Sequence, residues 1–234
     1  MKSGLLISAF IVSLTLASTV ASGENVEKET RNVTGFTKVS FGVSGDLYIN
    51  FGSEFKVVLE GEKSLLEEIK TEVSGTKLSI KNESWHSHNN ARVTVYITMP
   101  ALEGLGVSGS GKAEIKDAVK ASNLDFSVSG SGKILTGDVV AMNLNVGISG
   151  SGDVIIGGSG DAAKADVSIS GSGNYSGEGL RLANAEFSIS GSGSCKCFVS
   201  ENLKASVSGS GNITYSGSPK IDAKISGSGR VKSK

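Results

Sequence analysis

The stretch Ala-Asp-Val-Ser-Ile-Ser-Gly-Ser-Gly, residues 165–173, contains the pattern that decides the fold. Its last four residues, Ser-Gly-Ser-Gly, occur seven times in the chain, at intervals of 18 to 21 residues. Repetition at a slightly varying interval of this length is typical of a solenoid whose corner loops differ in length, and a flexible linker shows no such interval. The copies begin at Ser108, Ser129, Ser149, Ser170, Ser190, Ser208 and Ser226.

Apolar and polar residues alternate before each copy. In 165–173 the apolar side chains are Ala165, Val167 and Ile169, with Asp166 and Ser168 between them. Alternation with a period of two predicts a half-buried β-strand in each repeat. A second apolar position, two residues after the tetrapeptide, indicates a second strand on the next side of the coil. These second-strand residues are Ile134, Val154, Tyr175, Cys195, Ile213 and Val231.

The glycines between the two strands suit a corner, because glycine adopts positive φ without steric cost. Coils that stack in register bring identical side chains into ladders with a repeat of about 4.8 Å, so that seven coils form a rod roughly 30–35 Å long. Parallel strands joined by crossovers prefer right-handed connections. The predicted fold is therefore all-β, a right-handed, single-stranded parallel β-helix.

Residues 24–104 differ from the repeat and are predicted to cap it, in one continuous domain with the solenoid of residues 105–234. Apolar residues within 62–73 have the spacing of a short amphipathic helix, and the flanking segments alternate like strands. Solenoids need a cap, because an open end pairs with other chains. At the far end, basic residues on the last strand are expected to discourage such pairing: Arg230, Lys232 and Lys234.

The first 23 residues are typical of a secretory signal peptide, with Lys2 before an apolar run, Leu5–Leu16, and small residues at the cleavage site. No later segment reaches 18 apolar residues, so we expect an exported chain with no membrane span in its mature part. The expected location is the periplasm or the cell surface. Lys plus Arg and Asp plus Glu both number 23, so no basic excess points to nucleic acid.

Four segments together resemble a known family. They are Gly-Phe-Thr-Lys-Val (35–39), Val-Ser-Gly-Asp-Leu-Tyr-Ile (43–49), Leu-Leu-Glu-Glu-Ile-Lys (65–70) and the Ser-Gly-Ser-Gly ladder. In these segments the chain is similar to the head GIN domain family of "putative auto-transporter adhesins", over residues 33–234. The resemblance implies a right-handed, single-stranded parallel β-helix with an adhesin-like role, and it supplies no catalytic motif.

The chain's only Trp and its only two His residues gather within Asn82–Asn90, as Trp85, His86 and His88. An exposed Trp can stack on a sugar ring, and two His residues can bind a metal, but a metal site needs three or four ligands. The alternative is a polar hairpin loop in which Trp85 covers the end of the core. We keep these three residues as speculative ligand-binding candidates and predict neither a metal site nor a cofactor.

Cys195 and Cys197 raise the question of a disulfide, which exported proteins favour. Cα atoms two residues apart on a strand are roughly 6.5–7 Å from each other, at the limit for a bridge. Cys195 also aligns with the inward positions of the other repeats. The sequence therefore leaves open two buried thiols or a strained disulfide.

Asp166 and Glu186 occupy the same outward position in neighbouring repeats and could lie about 5 Å apart, a separation compatible with glycoside chemistry. Lys204 and Lys224 share this side and the corner loops are short, which favours solvated surface charge. We therefore expect an exported, non-enzymatic binding protein with adhesin-like contacts to a polysaccharide or a surface protein. There are two alternatives. One is a carbohydrate-active enzyme, and the other is a structural element that associates with itself to form oligomers.

Overall fold

The protein is described by a computed structural model over residues 26–82 and 92–234. Within these residues the chain forms nineteen β-strands and one short helix. The N-terminal part contains β1 (Val26–Arg31), β2 (Lys38–Gly42), β3 (Gly45–Phe51), β4 (Lys56–Glu62), α1 (Lys63–Glu68), β5 (Ile69–Ser74), β6 (Lys77–Asn82) and β7 (Val93–Met99). The repeats contain β8 (Gly104–Gly109), β9 (Lys112–Ile115), β10 (Val119–Gly130), β11 (Lys133–Thr136), β12 (Val139–Gly150), β13 (Asp153–Ile156), β14 (Gly160–Gly171), β15 (Asn174–Gly191), β16 (Ser194–Gly209), β17 (Asn212–Ser216), β18 (Lys220–Gly227) and β19 (Arg230–Ser233).

The repeats stack as parallel strands in continuous register. On the first side of the solenoid, β8, β10, β12, β14, the last parts of β15 and β16, and β18 lie side by side. Ile169 pairs there with Ile148 of the preceding coil and Ile189 of the following coil. All three side chains are buried. The inward row predicted from the alternation is confirmed for these coils.

Each coil has two further sides. The second side consists of β9, β11, β13, the first parts of β15 and β16, and then β17 and β19. The third side consists of the first residues of the long strands, such as Val119–Ala121 paired with Val139–Ala141. Between the third and first sides Ser122 and Asn123 are both exposed, so the inward–outward alternation shifts by one residue and the strand bends. The chain thus winds around three sides of one apolar core.

The N-terminal end of the stack is closed by antiparallel strands. Strands β2 and β6 extend the first side beyond β8, and β3 and β7 extend the second side beyond β9. Beyond them β5 pairs antiparallel with β6, and β4 and β1 follow β7. Helix α1 connects β4 to β5 and buries Leu65 and Leu66 in the core. The predicted all-β solenoid with one short helix is confirmed.

The helix is shorter than the sequence predicted. The apolar spacing indicated a helix within 62–73, but α1 ends at Glu68 and Ile69 begins β5. Ile69, Thr71 and Val73 are β-branched and stand at every second position, which favours a strand over a helix. They pair antiparallel with β6, so tertiary pairing overrides the helical spacing of the apolar residues.

Each coil turns from the first side to the second at Ser-Gly-Ser-Gly, where the backbones of successive coils touch. Gly171 has a φ of 119°, and a Cβ atom there would overlap the carbonyl oxygen of Gly150. The same oxygen accepts a hydrogen bond of 2.9 Å from the N–H of Ser172. A side chain at this glycine would therefore force the coils apart. The equivalent 2.9 Å bond is donated by Ser131, Ser151, Ser192, Ser210 and Ser228.

The second glycine of the tetrapeptide leaves room for the core of the preceding coil. A Cβ atom at Gly173 would lie 2.5 Å from Cγ2 of Ile148 and 2.5 Å from the carbonyl oxygen of Gly152. The β-branched residue that precedes each of the first six tetrapeptides packs in this way into the space that the second glycine of the next coil leaves free. This contact explains why the two features occur together in successive repeats.

We expect Gly171→Ala to destabilise the protein by roughly 2–4 kcal/mol, because alanine disfavours this φ and its Cβ would overlap backbone. Gly147→Ala is the matched control, since no atom lies within 4 Å of the added Cβ and its φ is ordinary. That control should change the free energy of unfolding by no more than about 0.5 kcal/mol. Urea unfolding followed by circular dichroism measures both. Equal stability of the two variants would contradict the role given to the glycine corner.

Candidate binding surface

Two adjacent outward rows of the first side consist mostly of serine, and we call them the serine face. Its outer row is the first serine of each tetrapeptide, and its inner row lies two residues earlier in each strand. Every serine in both rows is exposed, because side chains alternate between the core and the solvent. The outer row is Ser108, Ser129, Ser149, Ser170, Ser190, Ser208 and Ser226. The inner row is Gly106, Ser127, Gly147, Ser168, Ser188, Ser206 and Lys224.

The side chains beside the serine face are paired with one another. Asn145 donates a hydrogen bond of 2.8 Å to Asp125, and Lys204 contacts Glu186 at 2.7 Å. The serine hydroxyls differ: in the described part of the chain they form no hydrogen bond to another protein group. The serine face therefore presents rows of available donors and acceptors at the coil repeat of about 4.8 Å.

A shallow groove of about 160 Å³ lies at the capped end of the serine face. It exists because Gly104 and Gly106 interrupt the outward rows. Lys38, Lys77 and Asp125 line it, and Lys38 Nζ lies 3.3 Å from the Asp125 carboxylate. The groove carries a net positive charge, because two lysines and one aspartate line it. The groove is smaller than the 300 Å³ or so of ordinary ligand pockets, so it is suited to contact with part of a larger ligand.

The sequence did not predict the groove, because its three charged side chains come from three strands far apart in the chain. Lys38 is on β2, Lys77 on β6 and Asp125 on β10. Only stacking brings them together. The sequence nevertheless contained a signal: Gly104 stands where the later repeats have Asp, Asn, Glu or Lys, and Gly106 directly precedes serine at the same position of the next repeat.

Trp85, His86 and His88 lie outside the described residues, so their proposed role in ligand binding stays a prediction. Among residues 26–82 and 92–234, no group of three His, Cys, Asp or Glu side chains is arranged to hold a metal ion. In the same part of the chain, no helix has the length and apolar character needed to cross a bilayer.

Cys195 and Cys197 are free thiols in the structure, and both are buried on the inward side of β16. Burial raises the pKa of both thiols, that of Cys197 to about 12. Cys195 pairs with Tyr175 and Cys197 with Gly177 of the preceding coil. The Tyr175 ring occupies the space that Gly177 leaves, since a Cβ there would overlap the tyrosine hydroxyl. The two thiols pack against this arrangement as small apolar groups.

Asp166 and Glu186 are in register on adjacent strands, and both point outward from the first side. The Glu186 carboxylate is bound by Lys204 at 2.7 Å, and its side chain is 43% exposed. Glycoside hydrolases bury one carboxyl of the pair so that it stays protonated. This pair has no such burial, so the geometry favours surface charge over acid–base chemistry.

The family model described as "Putative auto-transporter adhesin, head GIN domain" matches residues 35–219. The chain belongs to this family. A search of curated proteins finds no match to the chain.

Solved structures of similar shape include one from Bacteroides fragilis and two from Parabacteroides distasonis. A "putative adhesin" of Bacteroides fragilis is 26% identical, with a TM-score of 0.81 over 90% of this chain and 98% of that one. A "putative adhesin" of Parabacteroides distasonis is 22% identical, with a TM-score of 0.72 over 89% and 96% of the two chains. A "putative lipid binding protein" of the same species is 23% identical, with a TM-score of 0.73 over the same shares. The similarity to the two Parabacteroides structures supports the fold of this chain alone.

Because Cys195 and Cys197 are buried thiols of raised pKa, we expect a maleimide to label neither in the folded protein at pH 8. In denaturant without reductant, both should react, at least about 100-fold faster than in the folded state. Mass spectrometry counts the labels. Two added labels would confirm free thiols, whereas none in the unfolded, unreduced protein would mean that the cysteines form a disulfide.

Proposed function

We propose that this head GIN domain protein is exported and binds a polysaccharide along its serine face, without chemical conversion of the ligand. The observation that carries the proposal is the outer row of seven exposed serines and the four exposed serines of the inner row, whose hydroxyls bond to no protein group within residues 26–82 and 92–234. The similarity to the Bacteroides fragilis "putative adhesin" supports an adhesin-like role. The signal peptide predicted for residues 1–23 supports export to the periplasm or the cell surface. In this proposal residues 24–104 cap the solenoid of residues 105–234 and both parts form one domain.

A polysaccharide fits the serine face because both are linear and both repeat hydroxyl groups. A single neutral hydrogen bond contributes only about 0.5–1.5 kcal/mol net. Seven coils offer many such bonds in parallel, and an extended polymer can use several of them at once. A compact ligand would touch only one or two coils and would gain little.

The groove beside Gly104 and Gly106 supports a preference for acidic sugars. Within the described residues Lys77 has no ion-pair partner, and Lys38 forms an ion pair with Asp125 only. A carboxylate or sulfate on the polymer would gain a charge-assisted hydrogen bond there. The groove also gives the otherwise uniform serine face a defined end, which would set the position of the polymer.

The first test is binding of the purified protein to an array of oligosaccharides and matrix proteins, with mass analysis of each bound sugar. Selective, saturable binding of an intact oligosaccharide is the expected result. A shortened sugar would replace the proposal with a carbohydrate-active enzyme. Selective binding of a matrix protein, with no sugar bound, would replace it with a protein-binding adhesin.

For an uncharged oligosaccharide so identified, which gains nothing from added positive charge, we expect Ser168→Lys/Ser188→Lys to weaken binding about tenfold or more, because two long side chains would stand on the serine face. The row accepts lysine structurally, since Lys224 already occupies it on β18. Isothermal titration calorimetry measures the dissociation constant of each variant.

The matched control is Ser176→Lys, on the outward side of β15 and on the second side of the solenoid. Its neighbour in the next coil is Lys196, so lysine is accommodated there too. The control should bind like the unmodified protein. Equal binding by the double variant and the control would exclude the serine face as the binding surface.

A further inference from the structure

The last coil leaves its apolar row uncovered. Ile221 and Ile225 of β18 stand in the inward row, in register with Leu203 and Val207 of β16. Leu203 and Val207 are each 1% exposed, whereas Ile221 is 42% exposed and Ile225 is 46% exposed. In the described part of the chain, β18 pairs with β16 and has no partner on its other edge. An open strand edge with apolar side chains favours pairing with another strand.

The outward residues of the same strand carry opposite charges. Asp222 and Lys224 flank Ala223, and all of β18 is exposed. From Ala223 the strand continues with an acidic residue and an isoleucine in one direction, and with a basic residue and an isoleucine in the other. A strand with this arrangement is complementary to a second copy of itself that runs antiparallel.

We propose that two copies of the chain associate end to end through β18, antiparallel, around a two-fold axis at Ala223. In this register Ile221 faces Ile225 of the second copy, and Asp222 faces Lys224 of the second copy. Two-fold symmetry makes each contact twice. The inward rows of both solenoids then join in one core, and the outward rows form two cross-strand ion pairs.

Other registers of the same two strands are less favourable. A shift by two residues places either Asp222 or Lys224 opposite its own copy, and like charges directly opposite each other are destabilising. A shift by one residue brings the inward row of one copy opposite the outward row of the other. The register centred on Ala223 therefore matches both the charges and the apolar residues.

The basic residues of β19 do not oppose this arrangement. Arg230, Lys232 and Lys234 follow the corner at Gly227–Gly229, to one side of β18. A two-fold axis at Ala223 puts β19 of the second copy on the opposite side, so the two basic clusters do not meet. They protect the edge of β19, as the sequence predicts, while β18 stays open. Outward residues remain paired with outward residues, so both serine faces lie on the same side of the dimer.

Sedimentation velocity over a range of concentrations, without any glycan, tests the proposal on the purified protein. The protein should approach twice its monomer mass as the concentration rises. Lys224→Asp and Asp222→Lys each place like charges opposite one another, and each should weaken the dimer about tenfold or more. The double variant Asp222→Lys/Lys224→Asp exchanges the two charges and should restore the dimer. A mixture of the two single variants should form a heterodimer.

Circular dichroism melting of each variant provides the control for folding, which should be nearly unchanged because both side chains are exposed. A protein that stays monomeric at every concentration would overturn the proposal. So would a dimer that is insensitive to both single substitutions, or a double variant as weak as the single ones. Lys224 also belongs to the inner row of the serine face, so the dimer is measured without glycan, and glycan binding is tested separately at Ser168 and Ser188.

Discussion

The rest of the structure depends on the contact between successive coils at their glycine corners. There the N–H of Ser172 donates to the carbonyl of Gly150 at 2.9 Å, and the same bond recurs along the stack. The approach is possible only where the first glycine has no side chain and takes a positive φ, as Gly171 does. This contact holds neighbouring strands in register, and register in turn aligns every inward and outward row.

Away from the corners the repeats vary, because the core needs only a filled volume. Tyr175 occupies an inward position where four other coils have Ile or Val, and Gly177 two residues later makes room for its ring. Cys195 and Cys197 then stack on this pair. The outward positions vary in charge, yet the outer row is serine in all seven coils and the inner row is serine in four of them. The combination of a fixed corner and a variable core therefore produces a flat face of hydroxyls, on which the proposed adhesin-like binding depends.

Much of this architecture could be predicted from the sequence, since the period of Ser-Gly-Ser-Gly and the alternation before it are local features. The residue at which α1 ends could not be predicted, because the β-branched residues from Ile69 onward pair with β6 and the sequence does not show this pairing. The groove could not either, since Lys38 and Asp125 are 87 residues apart and meet only through stacking. The exposure of Ile221 depends on what lies beyond the last coil, which alternation alone does not indicate.

The most direct test of the central claim, that a polymer binds along the stacked hydroxyl rows, is the dependence of affinity on ligand length. Calorimetric titration with one oligosaccharide series of increasing length gives the dissociation constant at each step. We predict that affinity rises until the oligosaccharide spans the serine face, roughly 30 Å for seven coils, and then levels off. Full affinity already at two or three sugar units would contradict the account, because it would mean recognition in a single pocket.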